Sequence, residues 1–365
     1  MPHRPFPHLL PLALLVALAA RPAAAQARDD GARIERVADG VYAIIHEHAS
    51  DEWPHGNTGV IVGEDGVFVV DAAYLPSRAR ADIALIRSVT DKPVRYLAIT
   101  HWHFDHTNGT VAYRDAFPGL TIVGERESAR WIELNATYWA KMSTAPGSTR
   151  RAALAELEKR LAAGADSAGA AYPVRVKDSL ARVIRQRHGE LAELAALTVV
   201  GPTLVFDRAL TLQLGTRRIE LVNRGHANSP ADVTVYLPEE RVLFTGDILV
   251  QDPLPYPFGA WPVPWIGVLR DLEALPVAAL VPGHGPVMRD HTYTRRVRRL
   301  MEAVTSRADS MARRGMPLDQ VQDSMSLEDA RRGYRPWNEG VPPDDWRQIT
   351  RILIERAWKG VRGQG

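Results

Sequence analysis

The chain has 365 residues, 45% of them hydrophobic and 24% charged, with a formal net charge of +2. These proportions suit a globular core and exclude disordered and fibrous classes; the charges of both signs interleave without a basic block, which argues against a nucleic-acid partner. There is no cysteine, so disulfide scaffolds, thiolate zinc sites, iron–sulfur clusters and cysteine nucleophiles are excluded, and a transition metal could be held only by histidine and carboxylate.

The N-terminus places Arg4 before an apolar run from Leu9 to Ala20 and then Ala23-Ala24-Ala25, the pattern of a signal peptide (residues 1–25) cleaved after Ala25. The run is too short to cross a hydrocarbon core of about 30 Å, and no later segment is long and apolar enough. The expectation is an exported protein, periplasmic or secreted, with no stable membrane span after cleavage. Removing Arg4 and Arg21 with the signal leaves no net charge and so no global attraction for polyanions.

Val41 to Ile45, Gly59 to Val62 and Val67 to Asp71 read as strands, the last two joined through Gly63-Glu64-Asp65-Gly66 as a hairpin. Ile83, Leu85, Ile86 and Val89 give helical spacing to Pro76–Val89; an apolar strand from Val94 to Thr100, a helix from Thr110 to Phe117 and a short strand at Leu120 to Val123 follow. These elements make up a first half, residues 26–124. From 125 to 199 Ala, Glu, Arg and Leu dominate at helical spacing, a helical insertion broken at Ala145 to Ser148 and at Gly164 to Pro173. Strands resume at Thr203 to Phe206, Leu210 to Leu214, Arg218 to Val222, Asp232 to Leu237 and Arg241 to Thr245. They make a second half, residues 200–292, that echoes the first, and a helical tail occupies 293–365. Mixed α/β layers are indicated.

Chemistry concentrates in Thr100-His101-Trp102-His103-Phe104-Asp105-His106, directly after an apolar strand. Alternate positions of extended backbone point the same way, so His101 and His103 can share one ion while Asp105 and His106, turning into a helix, face a second. The second half adds His226 in Gly225-His226-Ala227-Asn228, Asp247 in Thr245-Gly246-Asp247 and His284 in Pro282-Gly283-His284-Gly285. Asp247 and His284 each follow an apolar strand, and glycine beside each candidate allows close backbone approach.

The ordered set His101, His103, Asp105, His106, His226, Asp247 and His284 resembles the motif of the metallo-β-lactamase-fold hydrolase superfamily. The resemblance spans roughly residues 34–125 and 200–290 and implies a four-layer αββα sandwich with the site at one edge of its two sheets. It also implies two zinc ions: His101, His103 and His226 on the first, Asp105, His106 and His284 on the second, with Asp247 bridging them. Two such ions about 3.5–4 Å apart would present a bridging hydroxide near neutral pH and polarise the bond under attack. Asp105 is then the catalytic residue, orienting the nucleophile and passing its proton to the leaving group.

Two departures bear on the substrate. Cysteine usually stands at the place of Asp247 in the zinc β-lactamases with the most similar His226 region, and Val250 replaces the Lys or Tyr that β-lactamases or acyl-homoserine lactonases of the superfamily carry. The expectation is therefore a zinc-dependent hydrolase acting on a small-molecule ester, lactone, thioester or lactam. A β-lactamase proper and an iron enzyme akin to the superfamily's sulfur dioxygenases are the alternatives, since these ligands do not select one metal.

The Pro- and aromatic-rich stretch from Asp252 to Trp265 reads as a loop near the metals. Trp131, Tyr138, Trp139 and Met142 in the insertion read as core, with a lid over the site or a dimer contact as the alternatives, and His46, His48 and His55 as solvated loop histidines. Asp71, closing an apolar strand, resembles a buried Asp of the family that props the ligand loop.

Overall fold

The computed structural model describes residues 32–46, 55–251, 254–331, 334 and 343–364; the signal peptide expected at 1–25, and His48, lie outside these described residues. Among them no helix is long and apolar enough to cross a membrane.

The first sheet is assembled from β1 (Arg33–Ala38), β2 (Val41–Ile45), β3 (Thr58–Val62), β4 (Val67–Val70), β5 (Val94–Ala98), β6 (Thr121–Glu125) and β7 (Leu204–Phe206), in that spatial order. Strands β1 to β4 pair antiparallel, β1 with β2 and β3 with β4 through short turns. The pairs β4–β5, β5–β6 and β6–β7 are parallel, which requires crossovers: α1 (Pro76–Val89) makes the first, and α2 (Phe104–Thr107) with α3 (Thr110–Ala116) the second. The insertion, α4 (Arg126–Thr144), α5 (Thr149–Ala163) and α6 (Val174–Ala195), makes the third. The segment Thr203 to Phe206 thus joins the first sheet, although sequence order groups it with the second half. The second sheet contains β8 (Ala209–Leu214), β9 (Arg217–Asn223), β10 (Val233–Leu237), β11 (Val242–Phe244) and β12 (Ala279–Val281), with β11 and β12 parallel.

Residue alternation sends one face of each strand to each layer. Val41, Ala43 and Ile45 of β2, with Phe68 and Val70 of β4, meet Val233, Val235 and Leu237 of β10 and Phe244 of β11 between the sheets. Ile44, Val67 and Val69 face outward onto Ile83 and Ile86 of α1 and Tyr113 of α3. On the other side Tyr236, Leu243 and Leu280 face α7 (Pro262–Glu273), α8 (Thr292–Arg313) and α11 (Pro343–Val361), through Trp265, Leu269, Val297, Met301, Leu353 and Ile354. The architecture is the expected four-layer αββα sandwich. Two short helices, α9 (Leu318–Ser324) and α10 (Glu328–Arg331), link α8 to α11, and the tail forms part of the fourth layer.

Local signals set the insertion's boundaries. Glu125 caps α4 by accepting from Ser128 N at 2.9 Å, Ser148 caps α5, and Gly164 ends α5 at φ +66°, the left-handed conformation that glycine adopts at low cost. The insertion is tied to the body by Tyr74, which donates to Glu190 at 3.0 Å, and by Ser77 N, which donates to Glu193 at 3.0 Å. Its core is small. Leu134, Tyr138, Trp139 and Met142 are exposed, so Tyr138, Trp139 and Met142 do not fulfil the core reading, because the face of α4 that packs is the opposite one, through Ile132 and Ala140.

The stretch read as a loop up to Trp265 turns helical at Pro262, a residue whose missing N–H is no loss at the first helical position. Trp265 is fully buried and donates Nε1 to Ile248 O at 3.3 Å. Replacing Trp265 by Ala should cost about 3–5 kcal/mol of stability, measured by urea unfolding; a cost below about 1 kcal/mol would show that the fourth layer can collapse around the void.

Candidate metal centre

Asp71 comes first in chain order and orients two of the candidate histidines. It closes β4 with φ +64°, a conformation costly for a non-glycine residue and sustained where surrounding contacts hold it. Its carboxylate accepts from Thr100 N at 2.8 Å, Thr100 Oγ1 at 2.9 Å and His106 Nδ1 at 2.8 Å. Thr100 Oγ1 in turn lies 3.0 Å from His101 Nδ1. Both imidazoles are thus held by their Nδ1 edges, leaving Nε2 of each for the site.

The segment after β5 carries His101, His103, Asp105 and His106. The turn after β11, Gly246–Ile248, carries Asp247, and the loop after β12 carries His284. These three segments meet at one edge of the sandwich. Glycine is required where they touch: a Cβ on Gly283 would fall 2.0 Å from Asp247 Oδ1, and one on Gly246 would fall 2.6 Å from Thr100 Oγ1.

Two donor sets result, Asp105, His106, Asp247 and His284 in one and His101, His103 and Asp247 in the other, with the donor atoms of each set within 4.8 Å of one another. Asp247 belongs to both. His284 Nε2 lies 3.1 Å from Asp105 Oδ2 and 3.4 Å from Asp247 Oδ1; His106 Nε2 lies 3.3 Å from Asp247 Oδ1, and His101 Nε2 3.6 Å from Asp247 Oδ2. His101 Nε2 and His103 Nδ1 face each other at 2.9 Å.

His226 is brought to the same edge but stands in neither set. Its ring is exposed and stacks on Trp261 at 4.4 Å with 14° between the planes. The rim beside it is aromatic, with Tyr256 against Phe258 at 4.5 Å. Trp102 lies 4.7 Å from His103 and 5.3 Å from Trp131 of α4.

Burial acts on every group here, and neighbouring charges reverse its effect at some of them. Burial, helped by His106 and His103, holds His101 well below the usual histidine value. For His284 burial is outweighed by Asp247 and Asp105, which raise it to about 9, and for His106 by Asp247, Asp105 and Asp71, which raise it well above 6.5. Against burial, His106 and His284 draw Asp105 down to about 2, and His284 and His106 hold Asp247 well below its usual value. Asp232 behaves oppositely: burial pushes it up to about 8 despite donors from Ser229 N at 2.8 Å and Oγ at 3.0 Å.

The donor atoms suit a divalent cation. His106 Nε2 and Asp247 Oδ1 are buried and lie 3.3 Å apart without a well-aligned hydrogen bond, a costly state for polar atoms that a shared cation would relieve. Imidazole and carboxylate without thiolate are a donor set compatible with zinc and with other divalent transition metals.

Sequence reasoning misjudged two histidines. His46 and His55 are buried, 7% and 1% exposed, and His46 Nε2 lies 3.2 Å from Asp82 Oδ2, which also accepts from Thr58. A carboxylate 36 residues downstream is not visible in local pattern. The stacking of His226 on Trp261 and the tilted contact of Trp102 with Trp131 were likewise beyond spacing arguments.

The model of the metallo-beta-lactamase superfamily matches residues 51–284. The chain is 24% identical over 289 residues to the linear primary-alkylsulfatase of Pseudomonas sp. (strain ATCC 19151), across 76% of this chain and 51% of that protein; it spans about half the length of this curated relative. Its fold is similar to that of a metallo-beta-lactamase from Pontibacter korlensis, with TM-score 0.53 and 16% identity over 74% of this chain and 99% of the other. It is also similar to the stereoselective inverting sec-alkylsulfatase Pisa1 from Pseudomonas sp., with TM-score 0.59 and 15% identity over 89% and 49% of the two chains. With a family match across more than half of its length, the chain belongs to the metallo-beta-lactamase superfamily.

Proposed function

We propose that the protein is an exported, dinuclear zinc hydrolase of small esters, lactones, thioesters or lactams. The observation that carries this reading is that Asp247 belongs to both donor sets, the arrangement expected of a carboxylate common to two ions. In this reading His101, His103 and Asp247, with His226 completing the set, would hold one ion, and Asp105, His106, Asp247 and His284 the other. When bound, such a pair supplies Lewis acidity that lowers the pKa of water toward neutrality and polarises the bond under attack.

The remaining roles belong to the chain itself. Asp105 is the most open carboxylate of the centre, its side chain 14% exposed, and its pKa of about 2 keeps it ionised. An ionised carboxylate at the open side of the centre can accept a hydrogen bond from the nucleophile and orient it, and in this reading it would also pass the proton on to the leaving group. Tyr256, Phe258 and Trp261 give the rim an apolar character that suits an aliphatic or aromatic substrate body. The name of the alkylsulfatase relative supports including sulfate esters of linear alcohols among the candidates. The β-lactamase alternative is disfavoured by Val250, fully buried, where a substrate-gripping cation would be expected.

Purified mature protein should contain two zinc ions per chain by elemental analysis and hydrolyse at least one of nitrocefin, homoserine lactones, thioesters, phosphodiesters and alkyl sulfates, with activity lost to a chelator and restored by zinc. Chelator-resistant turnover would refute the metal assignment, and iron in place of zinc would promote the redox alternative. Asp105→Asn should retain fold and lower kcat by about 10²–10⁴; undiminished turnover at full metal loading would remove Asp105 from catalysis. Trp261→Ala should raise KM for the apolar substrates, and an unchanged KM would make the rim a structural connector.

A further inference from the structure

Of the two residues immediately before β3, one lies against the His106 ring and the other bonds to the loop that carries His284. Gly56 backs directly onto His106: a Cβ there would lie 2.6 Å from the ring's Cε1 and 2.7 Å from its Nδ1, so only glycine leaves the ring room. Asn57 reaches across to the other side of the set. It is 4% exposed and belongs to the first sheet's half of the molecule, yet three of its hydrogen bonds go to the loop that carries His284. Its side-chain amide donates to Pro282 O at 2.9 Å and to Gly285 O at 2.8 Å, and its backbone N donates to Gly283 O at 2.6 Å. The carbonyls it takes bracket His284 on both sides. Asn57 Oδ1 meanwhile accepts from His46 N at 3.4 Å, so the amide is anchored at its other end.

We infer that Asn57 is a positioning residue that sets the Asp105, His106, Asp247 and His284 donor set by locking the His284 loop against the first half of the sandwich. The two halves come from distant stretches of sequence, and the backbone of the ligand loop between β12 and α8 is also held to the second half, by Gln251 N donating to His284 O at 2.9 Å. Without a tie to the first half, the distance from His284 to Asp105 and His106 would depend on how the sheets settle against each other. Both amide hydrogens of Asn57 remove that freedom. They go to the His284 loop and not to His101, His103 or Asp247, so the brace acts on one set selectively. This inference rests on the reading that the two sets hold metal ions.

Asn57→Asp is a close isostere that keeps the acceptor for His46 N and replaces both donated hydrogens by an oxygen. Circular dichroism of the metal-free protein should match wild type, with a lower melting temperature because an oxygen replaces two buried donors. Zinc titration should show one ion bound as tightly as in wild type and the other weakened about 10–100-fold, the range for losing a group that orients a ligand. With cobalt substituted, the absorption bands of one site should fade first on dilution; kcat should follow occupancy and recover with excess zinc, while KM stays constant. Two ions bound with wild-type affinity would overturn the inference, as would parallel weakening of both, which a general structural role predicts. Should Asn57→Asp fail to fold, Asn57→Ser is read by the same titration. A wild-type protein that binds two ions but hydrolyses nothing would remove the proposed activity and leave this inference standing.

Discussion

Two carboxylates within 3.1–3.6 Å of three buried imidazoles are the constraint around which the rest of this edge is built. Isolated charges so placed would each face a large desolvation cost. The cost is met by mutual neutralisation: His106 and His284 are drawn to their charged forms by Asp247 and Asp105, and those carboxylates are drawn down in return. His101 goes the other way, held low by burial and the neighbouring imidazoles. The same buried side chains would serve as the donors of a divalent ion, so that the interactions that orient them without metal are the ones that would present them to it.

The sandwich supplies this constellation through three strand ends rather than through one element. Parallel pairing of β4 with β5 and of β11 with β12 places the segments following those strands at a common edge, the location at which open α/β sheets generally bind ligands. Asp71 converts that coarse placement into defined ring orientations, since one carboxylate accepts from Thr100 and from His106 while Thr100 contacts His101. The left-handed backbone of Asp71 is explicable in these terms: it is the conformation that turns the carboxylate back over the segment following β5.

The strands, the hairpin, the insertion and six residues of the two donor sets were legible because each leaves a local trace. Short β-rich apolar runs give β2, β4 and β10, glycine and proline mark the breaks at 145–148 and 164–173, and a His-x-His-x-Asp-His run has few bland explanations. Relations made by tertiary packing were not legible. Thr203 to Phe206 reads as a strand but carries no mark of which sheet it joins, and Tyr138, Trp139 and Met142 have helical spacing whether that face is covered or not. His46 and His55 look like loop histidines until Asp82 of α1 and Tyr74 are placed beside them.

The tail shows the same limit from the other direction, because composition presents it as an appendage and packing makes it part of the site's wall. Trp358 and Ile354 of α11 join the apolar cluster under α7, but Arg356 goes further. Its Nε donates to Ala260 O at 2.6 Å and its guanidinium lies 5.2 Å from the centre of the Trp261 ring, a charge–quadrupole attraction. Trp261 also donates its backbone N to Ala227 O at 2.8 Å and stacks on His226. One cation from the last helix therefore fixes the tryptophan against which the remaining candidate ligand rests. The first half contributes its tie through Asn57 to the His284 loop, and the tail contributes its own through Trp261 to His226, so two of the three segments of the second half that carry candidate ligands are held from elements on either side of them in the sequence.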